Sequence, residues 1–284
     1  MIRHEKLKTI EKDLRQIAEM LLLNGNLTEC SGLVNGKMGI ATFFFHYAKY
    51  TYNELFADYA MDLIGEILDQ LHVNSPADYE KGIAGIGVGI DYLIRNEFLN
   101  VEDDVCEDFD ERMFRAVMYD PWSNFSQYDG LTGYGRYWIS RLRYQVPSID
   151  ARKCLLYIIG KIEKQLPNIP AQEQTDVCCF LLDLCRIPGF EICKDLLTQF
   201  NTQTVNEFFR LGNSTIGDIV RMFQQNRYFN SNRKDEINAV MTQIPDLDIE
   251  KPPESTGLHT GYAGEGLLRL TAIEPSNVSW MILI

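Results

Sequence analysis

Two carboxylates are placed where they can do chemistry. Asp78 stands four residues before Gly82, in Asp78-Tyr79-Glu80-Lys81-Gly82, and Asp129 directly precedes Gly130. A pair of carboxylates on one rim can pass protons to a substrate or grip a cationic peptide. Either one alone also reads as a helix cap or a solvated surface acid. An acid–base pair would need a separation of about 5–10 Å across an open cavity. Cys178, Cys179 and Cys185 share one apolar run, and His259 adjoins a later glycine turn. These residue types can hold a metal, although core thiols are the simpler reading. Tyr79, Trp122, Phe125, Tyr128, Tyr134 and Trp138 lie near the same turns and can line a groove for a peptide or sugar. Trp122 and Phe125 belong to a Pro-Trp-Ser-Asn-Phe loop, which favours a contact surface, whereas Trp138 and His46 read as core.

The elements that position these residues repeat along the chain. A glycine turn, G-x-x-G-x-G/A, occurs at Gly36, Gly39, Ala41; at Gly82, Gly85, Gly87; at Gly130, Gly133, Gly135; and at Gly261, Gly264, Gly266. The first intervals are 46 and 48 residues, and the last gap of 131 leaves room for two degenerate copies, placed at Thr175–Phe180 and Ser214–Ile219. After each turn comes a strongly apolar helical run, and before each an amphipathic one such as 53–71, 105–118, 151–166, 190–200 or 233–244. Helices that are apolar all round lie inside, and amphipathic ones cover them. The expected fold is therefore all-α: an (α/α)6 toroid, a double ring of about twelve helices from six hairpins, forming one domain over residues 1–284. Glycine would supply positive φ and close backbone approach at each turn. Asn35, Asp129, Asn213 and Thr260 are placed to cap the inner helices. Six helix starts at one mouth would gather unpaired N–H groups there and mark the ligand site. A dinucleotide fingerprint is rejected, because that motif needs a preceding strand and occurs once.

Composition narrows the partners. A formal charge of −13 repels polyanions and excludes nucleic acid as the main partner, while favouring a cationic peptide. The acidic cluster Glu102, Asp103, Asp104, Glu107, Asp108, Asp110 and Glu111 reads as a solvated outer helix start. No apolar run is long enough to span a membrane. The amino terminus is amphipathic rather than signal-like, so a cytoplasmic location is expected. The 7 cysteines, an odd number in apolar stretches, suit reduced thiols better than a disulfide framework.

The segments GLVNGKMGIA, KGIAGIGVGIDYLI, DGLTGYGRYWI and GLHTGYAGEGLLRL resemble the lanthionine synthetase C-like family, over about residues 31–273. The resemblance implies a cyclase fold in which zinc, held by three side chains, activates a peptide thiol for addition to a dehydrated serine or threonine. It places the zinc ligands at Glu173, Gly212 and Asn213, so none of the family's cysteine and histidine ligands is present and no zinc cofactor is expected by that route. It also matches Asp78 to an active-site aspartate and Asp129 to a proton-handling histidine. The family usually has seven hairpins, and six are read here.

Three functions follow from the resemblance and the residues. The first is a zinc-free, peptide-binding protein that assists maturation of a ribosomally made precursor peptide alongside other maturation enzymes. Its binding rim would hold Asn35, Tyr79, Trp122, Phe125, Glu173, Asn213 and His259. The second is a carboxylate enzyme of the α/α-toroid glycoside hydrolase or lyase type, with Asp78 and Asp129 catalytic. The third is a cyclase with relocated zinc ligands.

Overall fold

The computed structural model describes residues 2–100, 105–119, 124–144, 148–200, 255–259 and 261–284, with 244, 247 and 252. Trp122, Gly212, Asn213, Thr260 and the copy expected at 214–219 lie outside the described residues. Every regular element among the described residues is helical: α1 (Ile2–Asn24), α2 (Lys37–Thr51), α3 (Glu54–Gln70), α4 (Ile83–Arg95), α5 (Glu107–Met118), α6 (Leu131–Tyr144), α7 (Ile149–Gln165), α8 (Ala171–Leu184), α9 (Ile192–Leu197) and α10 (Tyr262–Ile273). Two 3-10 segments, Leu166–Asn168 and Pro275–Leu283, complete them. These elements fall in two compact units, one drawn from 1–74 and 211–284 and the other from 75–210.

The expected alternation of helix character is present in both units. In the first, every residue of α2 from Lys37 to Ala48 is buried, and so is every residue of α10 from Tyr262 to Thr271. The covering helix α3 buries only Ala60, Leu63, Ile64 and Ile67, one stripe at helical spacing. In the second unit α4 is buried on nearly all sides, while α5 buries Phe109, Met113 and Val117. The outer helices α3 and α7 start at side-chain caps: Asn53 accepts from the Leu55 N–H, and Ser148 from the Ala151 N–H at 3.1 Å.

Helix α10 packs on both α1 and α2. The α1 contact is fixed by Arg269, whose buried guanidinium donates to Asp13 at 3.1 Å and Glu265 at 2.9 Å. The terminal 3-10 segment buries Trp280, Met281 and Leu283, and its Trp280 indole donates to Thr271 Oγ1 at 2.9 Å. In the second unit α6 packs on α4, α7 and α8, and α8 packs on α9. One expectation fails here: Thr175–Phe180 forms no turn but lies inside α8, which begins at Ala171 after Pro170.

Candidate binding rim

Each glycine turn is one loop folded back on the helix it starts. Lys37 N donates to Cys30 O, Ile83 to Pro76, Leu131 to Asn124 and Tyr262 to Ser255, always seven residues back and at 2.8–3.1 Å. The next N–H repeats the step in three copies, from Met38 to Ser31, Ala84 to Ala77 and Ala263 to Thr256. The loop's own carbonyls thus satisfy the first helical N–H groups, which were expected to face a ligand unpaired. The N-cap residue is itself glycine at Gly36, Gly82 and Gly261, with no side-chain cap. Asn35 is therefore not needed as a cap. Nor is positive φ the reason for glycine, since those three have φ −143°, −106° and −102°. Close approach is the reason: a Cβ on Gly36, Gly82 or Gly261 would fall within 3.0 Å of backbone in the folded-back loop.

Successive copies lock together through a repeated junction. Tyr79 N donates to Tyr128 O at 2.8 Å, and the Tyr79 side chain covers Gly133. One helix turn deeper, the Tyr137 ring lies on Gly87. The last and first copies, within the other unit, make the same three contacts at equivalent positions. Leu258 N donates to Val34 O at 2.7 Å, the Leu258 side chain covers Gly39, and the Phe43 ring lies on Gly266.

The third and fourth copies keep the ring contact of this junction and replace its backbone hydrogen bond. Phe180 lies on Gly135 as Tyr137 lies on Gly87, which aligns Glu173, rather than Thr175, with the first glycine. Helix α8 has no folded-back turn to offer carbonyls, and two carboxylates on it serve instead. Glu173 Oε2 accepts from Phe125 N at 2.6 Å, and Asp176 Oδ2 from Gln127 N at 2.9 Å. Burial pushes the Asp176 carboxyl up to about 6; the Gln127 N–H and Arg136 oppose the rise, while Glu173 and Asp129 add to it. The Arg136 guanidinium lies over the Tyr79 ring, 4.2 Å from its centroid. Its charge also opposes the burial-driven rise of the Tyr128 phenol.

The structure therefore gathers Tyr79, Tyr128, Asp129, Arg136, Glu173 and Asp176 around the starts of α4, α6 and α8. Asp129 is exposed, and its field reaches Asp176. Asp78 accepts from Lys81 N at 2.7 Å, within its own turn. Burial raises its carboxyl, and the charge that adds to the rise is Glu80. Tyr79 and Phe125 are buried, so their rings pack the junction and offer no open face. In the other unit Asn35 is exposed and His259 half-buried, and the Asn35 side chain abuts Gly257.

Sequence reasoning missed Asp176 and Arg136. Their only signal is position, each about one turn into an inner helix.

Two of the three zinc positions that the resemblance implies, Gly212 and Asn213, lie outside the described residues. Glu173 already holds the Phe125 N–H. Burial pushes the Cys178 thiol up to about 12 and also raises the Cys179 thiol, with Asp176 and Asp183 adding to that rise. Among the described residues no group of three or more His, Cys, Asp or Glu can hold a metal ion. Cys185 is the C-cap of α8, at the end away from the rim. His46 and Trp138 are buried, as expected of core residues. Burial lowers His46 to about 4, with Lys49 adding to the effect.

No family model matches the chain, and no curated protein matches it. No described helix is long and apolar enough to cross a membrane.

Proposed function

We propose that the chain is a lanthionine synthetase C-like α/α toroid that works without zinc and binds a cationic peptide, assisting maturation of a ribosomally made precursor. The carrying observation is the repeated junction. The contacts that join the second copy to the third also join the last copy to the first. A linear array of hairpins leaves its ends unpartnered, whereas a ring needs its last repeat to meet its first. In the ring we propose, the inner helix starts would share one mouth. In the second unit those starts carry Asp129, Glu173 and Asp176 against Arg136, a net negative group suited to lysine or arginine side chains.

A second reading keeps the scaffold and gives the carboxylates a catalytic task. Asp176, raised to about 6 beside Glu173 and Asp129, has the proton affinity of a general acid working near neutral pH. This favours a glycoside hydrolase or lyase centred on Asp176 and Asp129 over one built on Asp78.

Fluorescence anisotropy separates the two. The probes are a labelled lysine-rich peptide and a glutamate-rich peptide of equal length, on protein whose zinc content has been measured. The lysine-rich peptide binds, salt weakens it, and Asp129→Asn reduces its affinity several-fold. Equal binding of both peptides, or none at low salt, defeats peptide recognition. Cleavage of a polysaccharide panel that is lost in Asp129→Asn would establish the second reading.

A further inference from the structure

Two outer helices each carry a glycine that their own packing does not use. On the inner helices Gly87, Gly135 and Gly266 lie under aromatic rings, whereas a Cβ on Gly65 in α3 or Gly160 in α7 would meet nothing within 4 Å. Both stand inside a helix, where glycine is less stable than alanine. Each also lies opposite its helix's buried stripe, which includes Leu63, Ile64 and Ile67 in α3 and Leu155, Ile158 and Ile159 in α7. A missing side chain in an outward face lets a second helix approach closely.

The two outward faces share one spacing and carry opposite charge. Asp58 and Lys153 stand seven residues before their glycines, Met61 and Leu156 four before, and Asp69 and Lys164 four after. These offsets fall on one side of a helix. Helix α3 has Glu54, Asp58, Asp62, Glu66 and Asp69 and no lysine or arginine. Helix α7 sets Arg152, Lys153, Lys161 and Lys164 against Asp150 and Glu163. Apolar side chains stand out from both: Met61 is 48% and Leu68 43% exposed, Ile149 71% and Leu156 54%. Among the described residues Asp58, Asp69 and Lys164 make no hydrogen bond or ion pair. Lys153 has exposed Asp150 at 3.4 Å and the Phe114 ring at 6.0 Å, weak contacts for an exposed lysine.

We propose that α3 of one copy of the chain docks on α7 of a second copy, with Gly65 against Gly160. The glycines set the point of closest approach, Met61 and Leu156 cover it, and the two aspartates meet the two lysines on either side. Each helix has charge on both sides of its glycine, so the match holds whichever way the helices run. The formal charge of −13 opposes association of copies, so an acidic face of one copy needs a basic face such as that of α7. One helix pair buries less than the roughly 1,200 Å² of a standard interface, so association is weak and salt screens it. The contact joins two different faces, so copies pair reciprocally or continue into a ring or chain.

Sedimentation equilibrium of the full chain at low salt tests this. The mass should rise above that of one chain as concentration increases, and high salt should abolish the rise. Asp58→Lys with Asp69→Lys makes both faces basic, and Lys153→Glu with Lys164→Glu makes both acidic. Each swapped chain alone should associate at least about ten-fold more weakly. Mixed together they should associate as wild type does, because a basic face again meets an acidic one. Gly65→Gln, which fills the gap without adding charge, should also weaken association.

Should a swapped chain misfold by circular dichroism, carbodiimide cross-linking of mixed unlabelled and 15N-labelled wild type decides. The expected product is an amide joining Asp58 or Asp69 of one chain to Lys153 or Lys164 of a differently labelled one. A single-chain mass at every concentration, association that survives both swaps, mixed variants that stay apart, or inter-chain links confined to other residues overturns the proposal.

Discussion

Replacing Asp176 by asparagine tests the third junction by removing a charge while keeping an amide oxygen for the Gln127 N–H. The folded-state carboxyl is raised from 3.8 to about 6, so between those values the folded chain keeps a proton that the unfolded chain releases. Stability therefore falls as pH rises through this window and levels off above it. The full shift corresponds to roughly 3 kcal/mol, and solvent screening at this part-exposed group reduces it to about 1–2 kcal/mol. Asp176→Asn should match wild type near pH 4 and exceed it by that amount near pH 7. Urea unfolding across this range, followed by far-ultraviolet circular dichroism, reads the difference directly. An asparagine variant less stable than wild type at pH 7 would refute the reasoning. It would mean that attraction to Arg136, and not burial, governs the carboxylate.

His46 should show the opposite sign. Its folded value of about 4 lies below the ordinary 6.5, so the unfolded chain takes the proton first. Stability is full above pH 6.5 and is lost as pH falls towards 4, by up to about 3 kcal/mol; His46→Leu should flatten that loss in urea titrations. Glycines divide equally sharply. Gly65 and Gly160 have open space where a methyl group would sit, so alanine there should stabilise α3 and α7 by about 0.5–1 kcal/mol. Gly264→Ala, whose Cβ would meet Leu258 O, should cost about 1–3 kcal/mol; both effects appear as shifts of the urea midpoint.

The hairpin repeat was legible because its folded-back turns are made of backbone. A carbonyl that passes within contact distance of the next helix start leaves no room for a Cβ, so Gly36, Gly82 and Gly261 are forced and their spacing shows. Helix character was legible for a similar reason, since α2 is buried all round and α3 along one stripe. The fourth copy was misplaced because its junction is made by side chains. Asp176 reaches Gln127 across 49 residues, and no local pattern encodes that contact. The cap expected at Asn35 failed because the folded-back loop supplies acceptors that a sequence does not display. Phe125 read as a loop surface residue, yet its N–H and C=O both hold the turn, the carbonyl accepting from Thr132 at 2.8 Å.

The two kinds of junction differ in what they cost. Where Tyr79 meets Tyr128, and Leu258 meets Val34, a backbone amide meets a backbone carbonyl, and no carboxylate serves as the acceptor. Where Gln127 meets Asp176, the same amide is satisfied by a carboxylate that burial disfavours, with Glu173 and Asp129 adding repulsion and Arg136 returning only part of it. A neutral acceptor would close the junction at lower cost. Active sites and structural ion-pair networks both hold charges in this way, and the proposed peptide-binding reading assigns this one to the rim. The rim between α6 and α8, rather than the cheaper junction between α4 and α6, is therefore where substitutions should separate function from folding. There, a change that stabilises the chain should also weaken whatever the rim holds.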